Sequence, residues 1–99
     1  MTEPTLFDKS IEQRFWEFHA ANPKVYYALV SLARQAREAG KKRVGIAMLY
    51  ERARWDLWVQ THGDDYRLNN SFRSRYARLI AAQEPDLADV FETRRLRAA

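Results

Sequence analysis

The sequence predicts a mainly α domain: four to five helices with short extended segments, ordered like a winged helix-turn-helix. Three observations predict it. Apolar residues recur at three- and four-residue spacing in four separate stretches. Good N-cap residues (Ser10, Asn22, and Asn69 or Asn70) stand where those stretches begin. The segments left over, Arg43-Val44-Gly45, Tyr66-Arg67-Leu68 and Phe91–Arg97, are short and suit extended chain. A chain of 99 residues has room for one domain, expected over residues 10–99 behind an N-terminal tail, 1–9.

The first helix is expected over 10–20. Ser10 and Gln13 have capping-box spacing, and Ile11, Phe15, Phe18 and His19 follow at helical intervals with Trp16 beside them. Asn22-Pro23 ends it and opens the second, with Asn22 as N-cap and Pro23 in the first turn. Val25, Tyr26, Leu29, Val30, Leu32, Ala33 and Ala36 give that helix a broad apolar face, and Gly40 suits a left-handed stop. A third helix is expected from Ile46 to Gln60. Ile46, Leu49, Tyr50, Ala53 and Leu57 share one face, while Met48, Trp55, Trp58 and Val59 lie elsewhere around it. A helix apolar nearly all round predicts packing on several sides, so this one is expected at the centre. After a turn at Thr61–Asp65, a fourth helix is expected over 71–83, ended by Glu84-Pro85. Asp86–Val90 suits one further helical turn, and Phe91–Arg97 a terminal strand or hairpin edge.

Composition removes several classes. Hydrophobic residues are 46% of the chain, enough for a packed core, so disorder is not expected. Cysteine is absent, which excludes disulfides, thiolate zinc sites and a thiol nucleophile. No run approaches a membrane span, and the start, MTEPTLFDKS, is too acidic and polar for a secretory signal. A soluble cytoplasmic protein with no metal or cofactor and no membrane partner is the expectation.

The net charge of +4 is mild, but its sign alternates in blocks. Residues 24–54 carry net +6 and 67–83 carry four Arg and no acid, whereas 84–92 carry four acids and no base. Folding could merge the basic blocks into one cationic face, as a polyanion binder requires. The plain alternative is a solvated surface in which the arginines of 67–83 pair with the acids of 84–92.

The stretch around the fourth helix is the most informative. Arg67, Asn69, Asn70, Ser71, Ser74, Arg75 and Arg78 give guanidinium, amide and hydroxyl groups with no carboxylate among them. Arg suits phosphate or guanine, Asn suits adenine, and Ser suits phosphate. Lys41, Lys42 and Arg43, with Arg94, Arg95 and Arg97 of the terminal segment, are expected to hold phosphates while Arg75 and Arg78 face the groove. In winged-helix order this helix reads the major groove and the wing touches backbone. The connection before it, about ten residues, is longer than the usual helix-turn-helix turn.

Other residues support bland readings. His19 falls on an apolar face and is expected to be a core or half-buried histidine. His62 with Asp64 and Asp65 is too sparse for a metal or acid–base site. Trp16, Trp55 and Trp58 are expected mainly in the core, with Trp58 partly exposed. No Gly-rich phosphate loop, nucleophile elbow or paired-carboxylate motif is present, so an enzyme is not expected.

Several motifs together carry a resemblance: Phe18-His19-Ala20-Ala21-Asn22-Pro23-Lys24-Val25-Tyr26, Arg43-Val44-Gly45, Arg54-Trp55, Tyr66-Arg67-Leu68-Asn69-Asn70, Tyr76-Ala77-Arg78, Glu84-Pro85-Asp86-Leu87 and Phe91-Glu92-Thr93-Arg94. Over about residues 15–97 the chain resembles a group of short bacteriophage and prophage proteins of actinobacteria and other GC-rich hosts. The resemblance implies a phage origin and action in the host cytoplasm; it implies no activity. Two functions therefore stay open on the residues themselves. One is a small DNA-binding protein, monomeric or dimeric, that uses the basic helix at about 69–83 on duplex DNA. The other is a phage protein that binds and inhibits a host protein, such as a component of a defence system, through its aromatic and Arg side chains. A basic structural or DNA-packaging accessory is a third.

Overall fold

Ser10 opens the first helix as its spacing requires. In the computed structural model, which describes residues 10–60 and 68–92, the Gln13 N–H donates to Ser10 Oγ at 3.1 Å. The Ser10 N–H donates in return to Gln13 Oε1 at 3.1 Å, closing the capping box of α1 (Ile11–Ala21).

Asn22 departs from its expected role. Its side chain makes no cap bond to α2 (Pro23–Glu38); instead its carboxamide N–H donates back to the Phe18 carbonyl at 3.1 Å, as its backbone N–H does at 2.8 Å. One residue separates the two helices, and it is spent closing α1. Pro23 at the head of α2 has no N–H that needs a cap. At the other end, Gly40 takes φ +89°. Its N–H donates to Arg37 O at 3.0 Å, and the Lys41 N–H donates to Ala36 O at 3.0 Å, which together make a Schellman motif.

The predicted extended segment at 43–45 shrinks to one residue. Val44 forms a single parallel bridge with Phe91: its N–H donates to Val90 O at 2.8 Å and its carbonyl accepts from Glu92 N–H at 3.1 Å. The reason is local. The Gly45 carbonyl already accepts the Met48 N–H at 3.2 Å and so belongs to the first turn of α3 (Ile46–Gln60). A wing needs strands, and among the described residues there are none. The tail 1–9, the turn 61–65 with Tyr66 and Arg67, and the terminal segment from Thr93 on lie outside the described residues.

The fourth helix begins in two steps. Asn69 caps a 3₁₀ turn (Asn70–Phe72), its Oδ1 accepting from the Ser71 N–H at 2.9 Å, and α4 (Arg73–Gln83) follows directly. A second 3₁₀ turn (Pro85–Leu87) stands in place of the longer helical turn expected over 86–90.

Helix α2 packs against α1, α3 and α4, and α3 against α4. The shared core is Val25, Leu29 and Ala33 of α2, Leu49, Tyr50, Ala53 and Leu57 of α3, and Tyr76 and Ile80 of α4, closed by Leu87, Val90 and Phe91. Each fully buried aliphatic or aromatic side chain contributes about 1.5–3 kcal/mol. From α1, Phe15 enters the core edge-on to Tyr76, with ring centroids 4.8 Å apart and planes at 81°, and meets Phe72 at 5.6 Å.

The acidic turn after α4 is tied to α2. Arg34 donates to Asp86 at 2.9 Å and to Glu84 at 2.8 Å, and Arg37 donates to Asp89 at 2.7 Å. The Tyr26 hydroxyl donates to the second Glu84 oxygen at 2.8 Å, and burial together with that bond pushes its pKa up.

Two substitutions test these anchors. A side chain at Gly40 would meet no atom within 4 Å, so Gly40→Ala bears only the backbone cost. It is expected to destabilise by about 1 kcal/mol in urea unfolding. Tyr26→Phe removes a bond to a charged acceptor and is expected to cost about 1.5 kcal/mol in the same assay.

Candidate nucleic-acid interface

Helix α4 contains no carboxylate, and its rotation is set by Tyr76 and Ile80, both wholly buried. At about 100° per residue, Ser74, Arg78 and Ala81 then fall together on the side away from those two, with Ala77 at the edge between that side and the core. They form one wall of an open groove of about 840 Å³. Asn70, Ser71 and Arg73 extend that wall at the N-terminal end of α4. Gly45, Ile46 and Ala47, where α3 begins, form the facing wall with Phe91 and Glu92.

Four of the residues singled out in the sequence thus meet here: Asn70, Ser71, Ser74 and Arg78. Arg75 does not join them. Its Nε donates to Glu12 of α1 at 2.9 Å, and its Nη1 reaches the Ser71 carbonyl at 3.4 Å. Arg75, expected to face the groove of bound DNA, is tied to Glu12 in the structure. It stands about 60° round α4 from Arg78, on the side where its guanidinium meets α1. The Glu12 carboxyl is held below its ordinary pKa by hydrogen bonds from Trp16 and Arg75, with the charges of Arg75 and Arg78 adding to them.

The two asparagines are engaged locally. Asn69 Oδ1 accepts from both the N–H and the Oγ of Ser71, the latter at 2.6 Å. Asn70 Oδ1 accepts from Arg54 Nη2 at 2.9 Å, and Arg54 also donates to the Leu68 carbonyl at 2.9 Å. Arg54 sits over the Tyr50 ring, 5.7 Å from its centroid. Burial pushes the Tyr50 phenol up to about 12, and its O–H donates to Asn69 O at 2.7 Å. Tyr50 and Arg54 of α3 therefore fix the entry to α4 from below. Direct adenine reading by these carboxamides would require their local bonds to open.

Lys41, Lys42 and Arg43 are exposed in the connection that runs into Gly45 of the groove wall. The charge of Arg43 acts on Asp89. Arg67, Arg94, Arg95 and Arg97 lie outside the described residues. The acids of 84–89 are taken by Arg34 and Arg37 of α2, not by the arginines of α4, contrary to the alternative read from the sequence. Arg73 was not singled out from the sequence. The signal lay in the charge block of 67–83, and what hid it was the start of the α-helix, two residues later than expected.

Comparison with family models, curated proteins and solved structures gave no match.

Among the described residues no group of three His, Asp or Glu could hold a metal ion, and no helix is long and apolar enough to cross a membrane. The His62–Asp64–Asp65 group lies outside them. His19 is half-buried, as its position predicted. Its ring is parallel to Phe15 at 6.0 Å and lies against Tyr26 and Tyr76. Its Nδ1 is buried without a hydrogen-bond partner among the described residues, and burial lowers its pKa.

That shift sets a pH dependence. The folded chain holds His19 neutral at pH values where the unfolded chain protonates it, so the unfolded state binds more protons. Stability is expected to fall as pH drops below about 6.5, the ordinary histidine value, and to level off below the folded value. Thermal unfolding between about pH 7 and 5 checks this, and the decline should shrink in His19→Gln relative to the parent.

Proposed function

We propose that this chain is a small, non-enzymatic DNA-binding protein of bacteriophage origin, winged-helix-like in the order of its elements, that acts in the host cytoplasm. It lays the outward side of α4 on duplex DNA. The observation that carries the reading is the segregation of charge at the groove. One wall offers Arg73, Ser74 and Arg78 with Ser71 and Asn70, while the neighbouring acids Glu84, Asp86 and Asp89 are occupied by α2. Guanidinium and hydroxyl groups lining one groove suit phosphate oxygens and base edges. Lys41, Lys42 and Arg43 add phosphate contacts beside it, and Arg94, Arg95 and Arg97 enter the reading through their charge alone. Glu92 on the opposite wall repels phosphate and so favours an approach along α4 rather than into the depth of the groove.

A second reading, a protein that binds and inhibits a host protein such as a defence component, is supported by a different face. Trp55, Trp58, Met48 and Val59 stand out from α3, and large aromatic side chains are common anchors of protein interfaces.

A gel shift across salt concentrations separates them. Arg73→Ala with Arg78→Ala is expected to weaken duplex binding at least about tenfold and to lower the salt slope by about 2, one for each phosphate that these arginines neutralise. Arg75→Ala, which removes a guanidinium bound to Glu12, is expected to change binding less. Equal binding by the double variant and the parent would remove α4 from the proposal, and no shift with the parent at low salt would leave the protein-partner reading in front.

A further inference from the structure

The outer side of α3 carries large apolar side chains that the core does not use. Met48 is 63% exposed, Trp55 59%, Trp58 55% and Val59 52%. At 100° per residue, Met48, Trp55 and Val59 fall within about 40° of one another, half a turn from the buried Leu57 and Tyr50. Arg52, also exposed, fills the gap between them. The stripe is therefore Met48, Arg52, Trp55, Val59, with intervals of four, three and four. Those intervals are the a/d spacing of a coiled-coil seam. They also read the same in both directions along the helix.

Reversal places an apolar side chain opposite an apolar one and a guanidinium opposite an indole, a pairing that a second copy of the same helix supplies. We propose that this face of α3 binds α3 of a second copy of the chain, antiparallel, about a two-fold axis level with the midpoint between Arg52 and Trp55. In this pairing Met48 meets Val59 of the partner subunit, and Arg52 meets Trp55 of the partner subunit, each contact occurring twice as an isologous interface requires. Arg52 is already oriented by Asp56, to which its Nε donates at 3.1 Å, and its guanidinium lies flat on the opposite indole as a cation–π pair. Glu51, beside the seam, is likewise neutralised within its own chain by Arg54 at 2.8 Å. The pairing thus brings no uncompensated charge into contact. Trp58 flanks the seam and packs with Trp55, ring centroids 5.3 Å apart, which stiffens both anchors. The exposed parts of these side chains amount to roughly 500 Å² per copy, hence about 1,000 Å² over the pair, at the lower bound of specific interfaces. An interface of that size suits a weak, reversible dimer. The proposal uses α3 and not α4, so it stands apart from the DNA reading.

Sedimentation equilibrium on the full chain, from about 1 μM to 1 mM, tests it. A monomer–dimer equilibrium is expected, weakened at least about tenfold by Trp55→Ala and unchanged by Arg75→Ala, with the helical circular dichroism retained in both. Register is tested by cross-linking, since the chain has no cysteine of its own. Chains bearing Met48→Cys and Val59→Cys, mixed and oxidised, are expected to form the mixed disulfide in preference to either like pair. A chain that stays monomeric throughout, a dimer indifferent to Trp55→Ala, or a preference for like pairs would each overturn the proposal. Stoichiometric, Trp55-dependent binding of a different protein by a monomeric chain would do so too, and would give this face to that partner.

Discussion

Tyr76 is the side chain on which the arrangement of helices turns. It is wholly buried, 4.8 Å from Phe15 and 6.0 Å from His19 of α1, and 6.2 Å from Tyr50 of α3. Aromatic rings favour edge-to-face and tilted contacts of this kind, which constrain orientation as well as distance. Holding Tyr76 against two other helices fixes how α4 is rotated about its axis. Ser74, Arg78 and Ala81 then have to face the groove, and Arg75 has to face α1. The division of labour among the arginines of one short helix follows from a contact that none of them makes.

A second constraint acts on charge. The acidic block after α4 folds back onto α2, where Arg34 spans Glu84 and Asp86 and Arg37 reaches Asp89. Asp86 and Asp89 are held below their ordinary pKa by hydrogen bonds from these arginines. Exposed pairs contribute little stability singly. Their consequence here is chiefly electrostatic: with Leu87, Val90 and Phe91 held by burial, the pairs draw negative charge away from the outward side of α4. The field near the groove is thus decided by partners elsewhere in the fold.

Helix α3 shows what a domain of this size does with excess apolar surface. The sequence predicts a helix packed on several sides, and the structure packs it on one. Leu49, Tyr50, Ala53 and Leu57 meet α2 and α4, and no further element of the described residues covers Met48, Trp55, Trp58 and Val59. A small chain has too little material to enclose a helix completely. An apolar wheel in such a chain is evidence for an interface as much as for a centre. Trp16, expected in the core, is also half-exposed, its indole N–H bonded to Glu12 at 2.9 Å.

What the sequence determined by itself is the local structure. The Ser10–Gln13 box, Pro23 at the head of α2, the left-handed Gly40 and the stop at Glu84-Pro85 are all interactions within about five residues and were legible from spacing, as was an asparagine cap at 69 or 70. The buried faces of α2 and α3 were legible too, because helical periodicity is also local. The site was legible in part: Asn70, Ser71, Ser74 and Arg78 share the groove, while Arg75 pairs with Glu12 and Arg73, not singled out from the sequence, lines the groove. The partner of Arg75, the place of Arg73, the pairing of Arg34 with Asp86 and the exposure of the tryptophans were decided only by tertiary structure. Arg75 and Glu12 lie 63 residues apart, and Arg34 and Asp86 lie 52 apart. No spacing along the chain encodes contacts of that separation; they exist because buried aromatic and aliphatic side chains set the helices at one mutual rotation, and the charges take the nearest opposite partner that rotation leaves them.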